Sequence, residues 1–244
     1  MDKKRTCVLG YPVDLLKYDE ALEKVLSSEN FMQIVTINPE MIEKAQNDVE
    51  FSQLLKTADL VVPDGVGIKL ALKFRRVNQP QIAGCEFAKS IIEKASQRNE
   101  GIALLGAKQE VLELTCKKLT EEFPNVKIQY KRNGYFGNDE EFQIIEEIKQ
   151  SGAKYLFVAL GAPKQEFFIK KCKEAGCNLR AIGVGGSFDV WSGLTSRAPE
   201  IWQKMGLEWL YRTLKQPERI KRIFPALPKF LFKVIITGRS ECEN

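Results

Sequence analysis

The chain has 244 residues, with 37 Lys+Arg, 32 Asp+Glu and no histidine, for a formal net charge of +5. The lack of histidine excludes Ser-His-Asp and Cys-His catalysis, H-E-x-x-H metalloproteases and imidazole zinc sites, so a general base must be a carboxylate or a less usual group. Residues 1–195 carry 27 basic and 27 acidic side chains and residues 196–244 carry 10 and 5, so the whole excess sits at the C-terminal end and points to a membrane surface, a nucleic acid or a phosphorylated substrate.

The N-terminal MDKKRTCVLGYPVD has no apolar core segment, so no secretory signal is expected. Residues 31–37 form a β-branched, mostly apolar run ending at Asn38-Pro39, where Asn suits an N-cap and Pro the first helical turn. The pattern predicts a helix from Pro39 to about Ala58, a short strand at 60–62, and a second helix from Pro63-Asp64-Gly65 to about Phe74. Further on it predicts strands at 101–105, 126–130, 155–160 and 179–184, separated by helices at 108–123, 139–150 and 163–175. Continuous apolar strands between amphipathic helices imply an α/β fold, with a largely parallel sheet covered on both faces. Six cysteines without a C-x-x-C pair read as reduced thiols of a cytosolic protein.

Ligands of such folds bind beyond the carboxyl ends of the strands. Thr36 and Asn38 sit two apart at one strand end and so point the same way. Asp64 follows the next strand and suits either a turn or cap role or a carboxylate general base. Gly161-Ala-Pro-Lys164-Gln165-Glu166 offers a helix start with exposed N–H groups, a lysine and an amide, suited to a sugar nucleotide's pyrophosphate or to simple capping. Gly183-Val-Gly185-Gly186-Ser187 can let backbone approach a phosphate, or can be a tight strand–helix turn. It lacks the third glycine of the dinucleotide fingerprint, and no clear acidic ribose ligand follows a second strand. A nicotinamide-dependent oxidoreductase is therefore the weaker reading. No D-x-D pair occurs for a sugar-nucleotide metal.

After residue 195 the chain reads as an appendage: a helical run at 200–215, a break at Pro217 and a second run at 218–233. Arg219 and Arg222 share a helix face, which Arg212 would join only if the helix ran through. Basic residues beside Trp202, Trp209, Phe224, Phe230 and Phe232 favour an amphipathic surface lying on a membrane. An anionic leaflet contributes on the order of 1 kcal/mol per nearby basic residue. The apolar stretch 223–236 is too short, and too broken by two prolines and two lysines, to span a bilayer. No nucleic-acid motif accompanies the charge, so a nucleic-acid adaptor ranks last.

Thr36-x-Asn38-Pro-Glu40, Pro63-Asp-Gly-Val-Gly67, Leu160-Gly-Ala-Pro-Lys-Gln-Glu166, Gly183-Val-Gly-Gly-Ser-Phe-Asp189 and Arg197-Ala-Pro…Gly206-Leu-Glu-Trp-Leu-Tyr-Arg212 occur in this order. Together they resemble the WecG/TagA/CpsF glycosyltransferases over about residues 7–224. The resemblance implies an inverting transferase needing no metal or other cofactor, with a Rossmann-like catalytic core at 1–195 and a basic helical appendage at 196–244. TagA-like members move N-acetylmannosamine from UDP to an N-acetylglucosamine held by diphosphate on undecaprenol, in the wall teichoic acid linkage unit. Members using UDP-N-acetylmannosaminuronate or UDP-glucose share the motifs. By similarity, Asp64 is the base, and Thr36, Asn38 and Gln165 surround the sugar nucleotide with Lys164, Gly185 and Gly186. Arg212, Arg219 and Arg222 grip the diphosphates from an appendage that docks on the inner face of the cell membrane. A homo-oligomer is left open.

Overall fold

A computed structural model describes residues 5–195 and the helix at 220–237, the latter with side chains from residue 227 onward. Six strands build the main sheet: β3 (Met32–Ile37), β4 (Leu60–Pro63), β5 (Gly101–Gly106), β6 (Lys127–Arg132), β7 (Tyr155–Ala159) and β8 (Arg180–Gly183). Their order is β4-β3-β8-β7-β5-β6, and every pairing is parallel. The fold is α/β with a parallel main sheet, as the apolar runs predicted, and Rossmann-like, as the family resemblance implied. Alternate residues of each strand feed opposite faces: Ile34, Leu104, Phe157 and Ile182 enter one core, and Val35, Leu105, Val158 and Ala181 the other side.

On the first face lie α1 (Tyr18–Leu26), α5 (Gly84–Gln97), α6 (Gln109–Glu122) and the short α9 (Ser187–Trp191). On the second lie α2 (Pro39–Ala45), α3 (Val49–Thr57), α4 (Gly65–Phe74), α7 (Glu141–Gln150), α8 (Lys164–Glu174) and α10 (Ile220–Thr237). The helix expected over 39–58 is two helices. α2 stops at Ala45, and Asp48 starts α3 by accepting from the Phe51 N–H at 2.9 Å.

An antiparallel hairpin, β1 (Arg5–Val8) and β2 (Tyr11–Asp14), precedes the sheet. Its buried Asp14 takes two hydrogen bonds from Arg5, at 2.9 and 2.8 Å, and a third from the Val61 N–H at 2.7 Å. That carboxylate ties the hairpin to β4. Cys85, Cys116, Cys172 and Cys177 are outside any disulfide, whereas Cys7 is disulfide-bonded, a departure from the all-reduced expectation.

α10 is amphipathic in a way the residue pattern resolved only in part. Phe230, fully buried, and Val234 enter the core formed by Met41, Ile42, Ala45, Ile68, Ala71 and Leu72 of α2 and α4. Lys229 and Lys233 pair with the Glu43 carboxylate at 3.1 and 2.8 Å. Phe232, Ile235 and Ile236 face outward. Phe230, expected among the membrane-facing aromatics, therefore belongs to the body, because successive aromatics two apart fall on different sides of a 3.6-residue helix. Phe230→Ala should cost about 3–5 kcal/mol. For a chain of this size that lowers the melting temperature by roughly 10 °C, read by circular dichroism. Phe232→Ala should leave it within about 0.5 kcal/mol.

Candidate active site

In a parallel sheet all strand ends of one kind lie along one edge, and here four adjoining carboxyl ends carry the predicted residues. The strand β3 leads into α2 on one face, while its neighbour β8 leads into α9 on the other. A crevice opens where adjacent strands send their connections to opposite faces, which is where α/β folds bind ligands. Thr36 and Asn38 stand at the β3 side of it and the Gly183–Ser187 turn at the β8 side. Asp64, after β4, and the Gly161–Glu166 turn, after β7, flank the two.

The register brings Asp64 to Asn38. Thr36 pairs with Val62 and Ile37 with Pro63, and the Asp64 N–H donates to Ile37 O at 2.9 Å. Asp64 occupies the N-cap position of α4, yet its carboxylate makes no capping bond to the first helical turn. Asn38 does cap: its Oδ1 accepts from the Met41 N–H at 3.0 Å. Thr36, half-buried, lies against the start of α5, where a β-carbon on Gly84 would sit 3.0 Å from the Thr36 side chain. Three helices meet beside Asp64. A β-carbon on Gly67 would run into Pro39 of α2 and come within 2.9 Å of Leu227 of α10. The C-terminal helix thus reaches the rim of the site.

Gln165 is 5% exposed and has its amide in the middle of the second pair of strand ends. Its Oε1 accepts from the N–H groups of Gly161, at 3.1 Å, and Gly185, at 3.0 Å, so one side chain staples the β7 turn to the β8 turn. Its Nε2 donates to Glu166 Oε1 at 2.7 Å. A β-carbon at Gly183 would collide with that amide, which is why the strand ends in glycine. Gly185 therefore spends its N–H on Gln165 rather than offering it to a ligand. The row of open N–H groups expected at the start of α8 is also reduced. Gln165 N donates to Gly161 O and Glu166 N to Pro163 O, both at 3.1 Å, in the tight first turn. Gly186 stands at the start of α9, and Lys164 is exposed at the mouth.

Glu166 is 2% exposed, and its Oε2 has no hydrogen-bond partner among the described residues. Burial pushes its carboxyl up to about 7, against the opposite pull of the Gln165 hydrogen bond, a backbone hydrogen bond and the Lys44 ammonium. Lys44 reaches over from α2, donating to Ala162 O at 2.8 Å and pairing with Glu40 at 3.1 Å.

Tyr135 carries no motif, yet it belongs to the same rim. The Gly134 N–H donates to Ala107 O at 2.9 Å, and Gly134 packs against Gly106 and Leu160 at the ends of β5 and β7, leaving the Tyr135 ring 70% exposed beside them. The Asn133-Gly134 turn signal was available, but not the fact that β6 ends beside β5. Arg212 and Arg219 lie outside the described residues. Arg222 falls within α10, where its side chain is not described. Among the described residues no group of three or more Cys, Asp or Glu side chains is placed to hold a metal ion, and no helix is long and apolar enough to cross a membrane.

The model of the "Glycosyl transferase WecG/TagA/CpsF family" matches residues 6–242. The chain belongs to the WecG/TagA/CpsF glycosyltransferase family. Its class is thereby a glycosyltransferase of surface polysaccharide synthesis, acting between a sugar donor and a lipid-linked acceptor. The nicotinamide-dependent reading falls with that finding.

Proposed function

We propose that the protein moves N-acetylmannosamine from UDP to the N-acetylglucosamine of an undecaprenyl-diphosphate-linked acceptor, with inversion and without a metal. The observation that carries this reading is the placement of Asp64, a carboxylate at the end of β4 that the strand register brings beside Asn38 at the end of β3. There it serves as the base that takes the acceptor hydroxyl proton as the oxygen attacks the anomeric carbon. The bond from that carbon to the diphosphate breaks, and UDP leaves. Thr36 and the Asn38 amide line the sugar, while the Tyr135 ring offers a stacking face for the uracil. Lys164, Gly186 and the loop geometry set by Gln165 receive the diphosphate. Arg212, Arg219 and Arg222 add the positive charge that a departing diphosphate needs in the absence of a metal.

The outward Phe232, Ile235 and Ile236 of α10, on the basic C-terminal segment, support docking on an anionic membrane from the cytoplasmic side. Residues 1–195 then act as the catalytic body and the C-terminal segment as the part that meets the lipid. The test is a donor screen with a lipid-diphosphate-N-acetylglucosamine acceptor, run with and without EDTA. UDP-N-acetylmannosamine should be consumed in both. Preference for UDP-N-acetylmannosaminuronate or UDP-glucose would redirect the donor assignment, and loss of transfer in EDTA would overturn the metal-free mechanism.

A further inference from the structure

We propose that Glu166 is a positioning residue that takes up a proton when a sugar nucleotide's diphosphate binds over the Gly161 and Gly185 turns. The inference rests on the donor reading above and adds to it a coupling between binding and pH. The geometry is a relay of three links. The two glycine N–H groups meet Gln165 Oε1 at 3.1 and 3.0 Å, and Gln165 Nε2 meets Glu166 Oε1 at 2.7 Å. The far oxygen of the carboxyl, Oε2, is buried with no partner among the described residues.

A carboxylate in that position is one amide away from the turns that are to receive an anion. Two like charges across a single side chain, one of them buried, disfavour each other, so the bound diphosphate favours the neutral acid. The neutral acid still accepts from Gln165 through Oε1, with its proton on Oε2. The staple therefore survives the protonation that the ligand demands. The loss of negative charge also leaves the α8 N-terminus fully attractive to the diphosphate.

The surroundings favour Glu166 as the titrating group. Of the elements packed on α8, β3 carries no charged side chain, and the titratable residues of β7 and β8, Tyr155 and Arg180, lie at the opposite strand ends. From α3, Glu50 is engaged by Lys170 at 2.9 Å, two residues short of Cys172 along α8, and Lys56 lies in the last turn. α2 supplies Lys44, with its partner Glu40. Lys44 is the cation that stabilises the ionised form, and burial already holds the carboxyl at about 7 in the free protein.

The experiment is titration calorimetry of the full chain with UDP at pH 8, where the phosphates of UDP are ionised, in two buffers of different ionisation enthalpy. The wild type should take up about one proton per UDP, and its affinity should fall about tenfold per pH unit above pH 8. Glu166→Gln, which keeps the acceptor for Gln165, should bind UDP with no uptake and lose that slope. Lys44→Met should move the fall in affinity to higher pH, since it removes the charge that favours the carboxylate. UDP binding without proton uptake in the wild type, uptake retained in Glu166→Gln, or an unmoved profile in Lys44→Met would each overturn the inference. Absence of UDP binding in the wild type would instead overturn the donor reading on which it rests.

Discussion

Asp64→Asn should lower transfer by about 10²- to 10⁴-fold while leaving UDP affinity within about threefold of wild type. The reason for so selective an effect lies in the position. Asn is as good an N-cap residue as Asp, so any helix-starting role of residue 64 survives the change, and stability should move by less than about 0.5 kcal/mol. What the amide cannot do is accept a proton from the acceptor hydroxyl. A structural aspartate would give the opposite pattern: Asn would be silent in activity, and Ala would cost about 1 kcal/mol of stability. The Asp64 carboxylate makes no capping bond to the first turn of α4, whereas Asn38 on the neighbouring strand caps α2, so the comparison has to be made on both activity and stability. Single-turnover transfer, calorimetric UDP binding and a melting curve on one preparation separate the two. Near-normal turnover in Asp64→Asn would remove this residue from the chemistry.

The fold was legible where local chemistry agrees with tertiary packing. The runs at 101–105 and 155–160 are apolar at every position because both faces of those strands are covered, and they are β5 and β7. The hairpin at Arg5–Asp14 was not legible, since Leu9 and Gly10 both have positive φ, 51° and 82°. Such a turn usually announces itself with Asn-Gly or Asp-Gly, and leucine gives no such sign. α5 starts at Ala83 without a side-chain cap, and its glycine at 84 is explained by the approach of Thr36, a residue 48 positions earlier. The four turns of the candidate site could be found as motifs at strand ends, but that β8 lies beside β3 could not. That adjacency makes a crevice out of separate turns.

The role of Gln165 illustrates the same limit. Its amide was expected at the sugar nucleotide, yet its hydrogen bonds go to Gly161, four residues back, and Gly185, twenty residues on. No local pattern encodes the second. Side chains whose work is to hold two loops in register look, in sequence, like side chains that touch ligand.

Gln165→Leu is accordingly expected to be among the most damaging single changes in the body. It strands two half-buried N–H donors and the buried acceptor Glu166 Oε1 at once. Leaving a fully buried polar group without its partner costs about 1–3 kcal/mol, and with the two N–H groups only half-buried the change as a whole should cost about 1–3 kcal/mol of a stability that is only about 5–15 kcal/mol for most domains. Turnover should fall by about 10²-fold in whatever protein remains folded, because the two glycine turns lose their common anchor and misplacing a reacting group by about 1 Å has that effect. Gln165→Glu provides the discriminating comparison. It keeps an oxygen for both glycine N–H groups but sets a second carboxyl against Glu166 within hydrogen-bond distance, where the pair holds one proton between them. Near pH 6 that variant should melt much closer to wild type than Gln165→Leu does. As the pH rises and the shared proton is lost, two buried carboxylates repel, and its melting temperature should drop toward that of the leucine variant. Equal, pH-independent stability of the two variants would mean that the staple does not bear on the fold. A wild-type rate in Gln165→Leu would mean that the turns it joins do not position the substrate.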